Sequence, residues 1–208
     1  MFKRGLVIFS QILILSFWPI SFFLTNQPTN FEILSPSRVS LGNTVFVVSP
    51  LDYDTLVRSI GLFKSRSLAR LEYNRLTPIF TKYSLNFFSL IDPNNYFFGF
   101  HPRENVIPNQ NLIKFPPLSI IFFLTGLYLW GNLKYHRLIF SLSLVSILIL
   151  SFLNIFDGFD LILFPPLALI IRHGLFEFSQ KKSFLITPTL FLFCFISTID
   201  LIRIVLVR

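Results

Sequence analysis

The chain has 208 residues, 53% of them hydrophobic and only 13% charged, about half the charged share of a soluble domain, which is roughly 25%. With a mean hydropathy of +0.67, this excludes an ordinary soluble globular protein. The formal charge of +8 is not gathered into a patch. About half of the 18 Lys and Arg share one long polar segment with most of the acids, and the rest flank apolar runs. That is how a membrane protein uses basic residues, so nucleic acid is excluded as a partner. Cys194 stands alone in an apolar run, which leaves no disulfide framework and no cysteine metal site. Phe occurs 28 times, but Ala only at Ala69 and Ala168, so close helix contacts fall to Gly and Ser.

A bilayer core of about 30 Å takes about 20 apolar residues as a helix. Residues 1–24 meet that length behind Lys3-Arg4. The stretch contains Trp18-Pro19 and ends in Phe22-Phe23-Leu24 without a small-x-small cleavage site, so it reads as an uncleaved signal-anchor. Residues 25–115 follow as a mostly helical external segment. Asn26 to Ser40 is coil, and Thr44 to Val48 (TVFVV) is one isolated strand candidate. In "SPLDYDTLVRSIG", Ser49, Pro50 and Asp52 form a helix start resembling a capping box. The D-x-D pair Asp52 and Asp54 also matches a metal–diphosphate pattern, but the dipole of a first helical turn accounts for it. Further on, Leu76, Ile79, Phe80, Tyr83, Phe87 and Leu90 recur at helical spacing, which predicts an amphipathic helix. It either lies in the membrane interface or packs on the rest of the segment. Asp92 to Asn95 is a turn. In "YFFGFHPREN", Tyr96, Phe97, Phe98 and Phe100 then read as an interfacial aromatic anchor, and Gly99 as a bend.

The stretch "KYSLNFFSLIDPNNYFFGFHPRE", followed by coil and "KFPPLSIIFFLTGLYL", resembles an external loop and following span of polytopic lipid-linked-sugar glycosyltransferases of the GT-C superfold. The similarity covers about residues 65–129. It implies a site at the external face with acids near the end of the first span, for which the candidates here are Asp52 and Asp54.

Residues 116–208 form a four-helix membrane region, with spans expected at about 117–133, 138–156, 161–178 and 184–206. The segment at 161–178 carries Pro165-Pro166 and Arg172-His173, so it either spans or re-enters. Short-loop charge sets orientation. With the N-terminus cytoplasmic, Lys3, Arg4, Lys134, Arg137, Arg172, Lys181 and Lys182 fall inside, against Arg203 and Arg208 outside.

Ionisable residues at membrane depth are candidate functional groups because burying them is costly. Arg172 and His173, together with Arg103 in the external segment, are candidate ligands for a lipid or phosphate. Glu177 is spaced to meet His173, and Asp200 to meet Arg203. A catalytic alternative gathers Asp157, Asp160, Asp200, His101 and Glu104 at the outer face, with Arg103 beside them. Carboxylates converging there suit a divalent cation with a lipid diphosphate, or a general base. Without that convergence no cofactor is implied, and no nucleophile elbow, phosphate loop or zinc motif is present.

The expected fold is an all-α polytopic membrane protein of about five transmembrane helices, with a mostly helical external segment between the first and second. The expected role is a non-catalytic binding or assembly component of the cell envelope, whose partners are membrane lipids and another membrane or envelope protein. The alternative is an enzyme acting on a lipid-linked sugar or lipid phosphate at the outer face.

Overall fold

The structure, a computed structural model, describes residues 2–25, 44–47, 74, 76–99, 114–154, 159–181 and 184–206, with isolated positions 54, 57, 58, 60, 61 and 67. Its α-helices are α1 (Phe2–Thr25), α2 (Thr77–Ile91), α3 (Pro93–Phe97), α4 (Ser119–Tyr128), α5 (His136–Leu150), α6 (Phe164–Gln180) and α7 (Ile186–Leu206). Short 3₁₀ turns at Trp130–Asn132 and Phe159–Leu163 join them.

Among the described residues, the helical stretches Lys3–Ser21, Asp160–Gln180 and Ile186–Ile204 are long and apolar enough to cross a membrane. The chain is an integral, multi-pass membrane protein. Pro165-Pro166 do not interrupt the second of these stretches, because they fall in the first turn of α6, where a missing N–H is tolerated. The apolar run at 117–133 holds a helix of only 10 residues, about 15 Å long. It stops at the 3₁₀ turn Trp130–Asn132. Tyr135 then adopts the left-handed conformation (φ 64°) and turns the chain into α5, whose 15 residues reach about 22 Å.

The packed centre is α1, α4, α6 and α7. Helices α4 and α6 begin side by side, where Phe115 stacks on Phe164 with ring centroids 5.7 Å apart. They meet again at Gly126 and Gly174, so they run in the same direction. A Cβ on Gly174 would run into the Phe122 carbonyl oxygen and the Gly126 nitrogen, and one on Gly126 into the Ile170 carbonyl oxygen. The scarcity of Ala thus leaves the closest backbone approach to glycine, as in other membrane helix pairs. Helix α1 lies against α7, where Ser10 Oγ and Cys194 Sγ are 3.2 Å apart, and against α6 through Trp18 and Phe164. Helix α5 is peripheral. Ile139 and Leu150 are its buried residues, while Leu138, Phe140, Leu142, Val145 and Ile149 are exposed, as suits a lipid-facing helix.

Helix α2 docks on the end of α5. Asn86 is fully buried and donates both amide protons, to the Ser151 carbonyl at 2.9 Å and the Leu153 carbonyl at 2.8 Å. Tyr83 packs on Phe152 at 4.8 Å. The TVFVV stretch supplies one isolated antiparallel bridge, Thr44 to Leu153, extended by Val45 N–H to the Phe152 carbonyl at 3.0 Å. The inward face of α2 differs from the sequence expectation. Asn86 and Leu90 are its buried residues, whereas Leu76 and Phe80 are exposed. The α5 end offers unpaired carbonyls, and an amide with two donors satisfies them better than an aromatic ring does.

Candidate functional site

The chain concentrates its chemistry where the Trp18 end of α1 meets the starts of α4 and α6. Asp92 caps α3, its side chain accepting from Asn94 N–H at 2.9 Å. The expected turn at Asp92 to Asn95 is therefore the start of a one-turn helix, which points Asn95, Tyr96 and Phe97 inward. The Tyr96 hydroxyl donates to the Leu90 carbonyl at 2.5 Å. Its own carbonyl accepts from Lys114 N–H at 3.1 Å and Phe115 N–H at 2.8 Å. That double contact lays the chain leading into α4 against α3 and sends the Lys114 side chain into the interior.

Lys114 is completely buried. Its ammonium forms an ion pair with Asp160 and donates to Asn95 Oδ1 at 2.6 Å. It also lies 5.5 Å from the centroid of the Trp18 ring and 5.4 Å from that of Tyr96, within cation–π range. Trp18 closes the node edge-on against Phe115 and Phe164. A charge without water needs both a counter-ion and hydrogen-bond acceptors, and this arrangement supplies them. Two buried donors beside it, Trp18 Nε1 and Asn95 Nδ2, have no hydrogen-bond partner; ordered water satisfies such groups in many interiors.

The expected outer-face residues divide. Asp160 is buried and neutralised by Lys114. Asp200 sits half-buried near the end of α7 and closes no ion pair with Arg203, although the two interact electrostatically. His101, Arg103, Glu104 and Asp157 lie outside the described residues. Among the described residues no three His, Cys, Asp or Glu come together in a way that would hold a metal ion. Asp54 is exposed and helical, while Asp52 lies outside the described residues. The aromatic run is corrected in its direction: Tyr96 and Phe97 are buried against Trp18, Phe115 and Phe123. Gly99, at φ 69°, makes the bend expected of it.

Arg172 and His173 line a second feature, an open cleft of about 210 Å³ bounded by Gln11, Leu133, Leu169 and Phe176. His173 does not meet Glu177. Its Nε2 lies 3.3 Å from the Leu129 carbonyl, which also accepts from Asn132 N–H at 2.9 Å in the turn that follows α4. Sequence reasoning passed over Lys114 and Asn95. The available signal was a Lys at the head of one apolar run and the pair Asp157 and Asp160 at the head of another.

No protein-family model, curated protein or solved structure matches this chain.

Proposed function

We propose that this protein is a non-catalytic assembly component of the cell envelope, which holds α2 and α3 of its external segment at the membrane surface for another membrane protein. The supporting observation is the clamping of α2 and α3. Asn86 ties α2 to the end of α5, and the Lys114 node ties α3 to α1, α4 and α6. Clamped this way, α2 keeps Phe80, Leu85, Phe88 and Ile91 exposed. Phe80, Leu85 and Phe88 line a groove of about 600 Å³ with Asn74, Thr81 and Ser84 at its edge. An apolar floor with a polar rim suits a protein partner. On this reading α1 is an uncleaved anchor, since its Ile14, Phe17 and Trp18 belong to the buried core. The N-terminus is cytoplasmic, on the side of Lys134 and Arg172. The alternative, an enzyme for a lipid-linked sugar, needs free carboxylates at the outer face, and Asp160 is already committed to Lys114.

The test is a photo-reactive phenylalanine analogue placed at position 80, 85 or 88 in intact membranes. A single protein adduct from all three, absent from a probe at Leu142 on the lipid-facing side of α5, is expected. Adducts to lipid alone would overturn the assembly reading and make α2 an interfacial helix.

A further inference from the structure

We infer that the cleft between α1, α6 and the turn after α4 seats the phosphate of a phospholipid, drawn into the bilayer from the leaflet on the Lys3–Arg4 side. The inference begins with depth. At the Trp18 end the helices are level, because Trp18, Phe115 and Phe164 touch. At the other end they are not. The stretches Lys3–Ser21 and Ile186–Ile204, 19 residues each, reach about 28 Å, close to a bilayer core. Helix α5 between Arg137 and Ser151 covers only about 21 Å. On α6, Asp160 to Arg172 covers about 20 Å, counting the 3₁₀ turn.

The two short measures end at the same level. Leu133, in the turn before Lys134, lines the cleft with Arg172 and His173, and His173 meets the Leu129 carbonyl. Gln11 of α1 lines it too, and Gln11 is about 10 Å along α1 from Arg4. So the cleft, with the turn carrying exposed Lys134 and Arg137, stands about 10 Å short of the surface that Lys3 and Arg4 mark.

Arg172 is exposed there and has no hydrogen bond or ion pair among the described residues. Facing hydrocarbon, an unpaired guanidinium at that depth is costly. A short hydrophobic face thins the bilayer beside it, which brings headgroups down to meet such a group. A phosphate is the anion that a guanidinium recognises through two hydrogen bonds. His173 and Gln11 supply further polar contacts, Leu169, on the side of Arg172 toward the bilayer centre, supplies an apolar wall for the acyl chains, and Phe176 lies on the headgroup side.

The experiment uses the full chain in detergent and compares retention of phosphatidylglycerol with that of an uncharged diacylglycerol by native mass spectrometry. Wild-type protein retains the phospholipid preferentially. Arg172→Gln loses about tenfold in retention, the scale of a charge-assisted hydrogen bond. Arg172→Lys, which keeps the charge but not the two-pronged fork, retains less than wild type and more than Arg172→Gln, and Lys181→Gln, at the far end of α6, leaves retention unchanged. Equal retention by wild type and Arg172→Gln overturns the inference. So does displacement of the lipid by excess inorganic phosphate, which would make the cleft a soluble-anion site. Because Arg172 is exposed, its replacement leaves the fold intact, and an unchanged circular dichroism melt confirms that the loss is local.

Discussion

Two cations stand at opposite ends of the contact between α4 and α6, and the protein treats them in opposite ways. Lys114, at the start of α4, is enclosed completely and given a carboxylate, an amide oxygen and two aromatic faces. Arg172, eight residues from the end of α6, faces outward, with no ion pair among the described residues. The difference follows from what surrounds each group. A charge sealed from solvent and lipid must be satisfied by the chain itself, or the fold is lost. A charge at the lipid-facing surface can take its partner from the membrane. The first arrangement therefore serves the architecture, and the second points to a ligand.

Four substitutions break or sharpen that contrast. The largest effect is expected from Gly174→Leu. The new side chain would occupy the space of the Phe122 carbonyl and the Gly126 nitrogen, separating α4 from α6 and disrupting both sites at once. A loss of more than about 4 kcal/mol, read as failure to recover monodisperse protein, would be the signature. Normal yield and melting would show that the seam is loose. Next comes Asp160→Ala, which strands the Lys114 ammonium in the interior and should destabilise by about 3–5 kcal/mol. The double change Lys114→Met with Asp160→Leu should recover most of that loss. If the double variant is no better than the single one, the ion pair is not the reason for the damage.

Asn86→Ala is expected to be milder, about 1–3 kcal/mol, since it leaves the Ser151 and Leu153 carbonyls without their shared donor. Protease sensitivity of the external segment should rise while the helices keep their circular dichroism. The smallest effect on stability belongs to Arg172→Gln, within about 0.5 kcal/mol as for surface positions, even though it removes a full charge. A melt shifted as far as that of Asp160→Ala would erase the distinction between the two cations.

Particular residues show how much of this was legible beforehand. The apolar runs and their basic flanks gave the membrane class, and the scarcity of Ala pointed to Gly and Ser as the means of close packing, a role that Gly126 and Gly174 fill. Helix α2 was legible from its spacing, but its inward face was not. Asn86 looks like a flanking polar residue until the carbonyls of Ser151 and Leu153, more than 60 positions away, are placed beside it. The same holds for Tyr96 and Phe97. Their composition suited an interfacial anchor, and only the capped start of α3 at Asp92 turns them toward Trp18.

What the amino-acid sequence determined alone is whatever depends on local periodicity and transfer energy: long apolar helices, their polar boundaries, and the break at Gly99. What tertiary structure decided is which charges share a site. Lys114 and Asp160 are far apart along the chain, and neither is unusual in its own neighbourhood. Burial at the junction of three helices makes each necessary to the other. Lengths were fixed the same way. An apolar run at 117–133 looks long enough to span, but the turn at Trp130 to Tyr135 ends it early. Only its packing beside Arg172 and Gln11 shows that this turn lies level with the middle of α1 and α6 rather than with their ends.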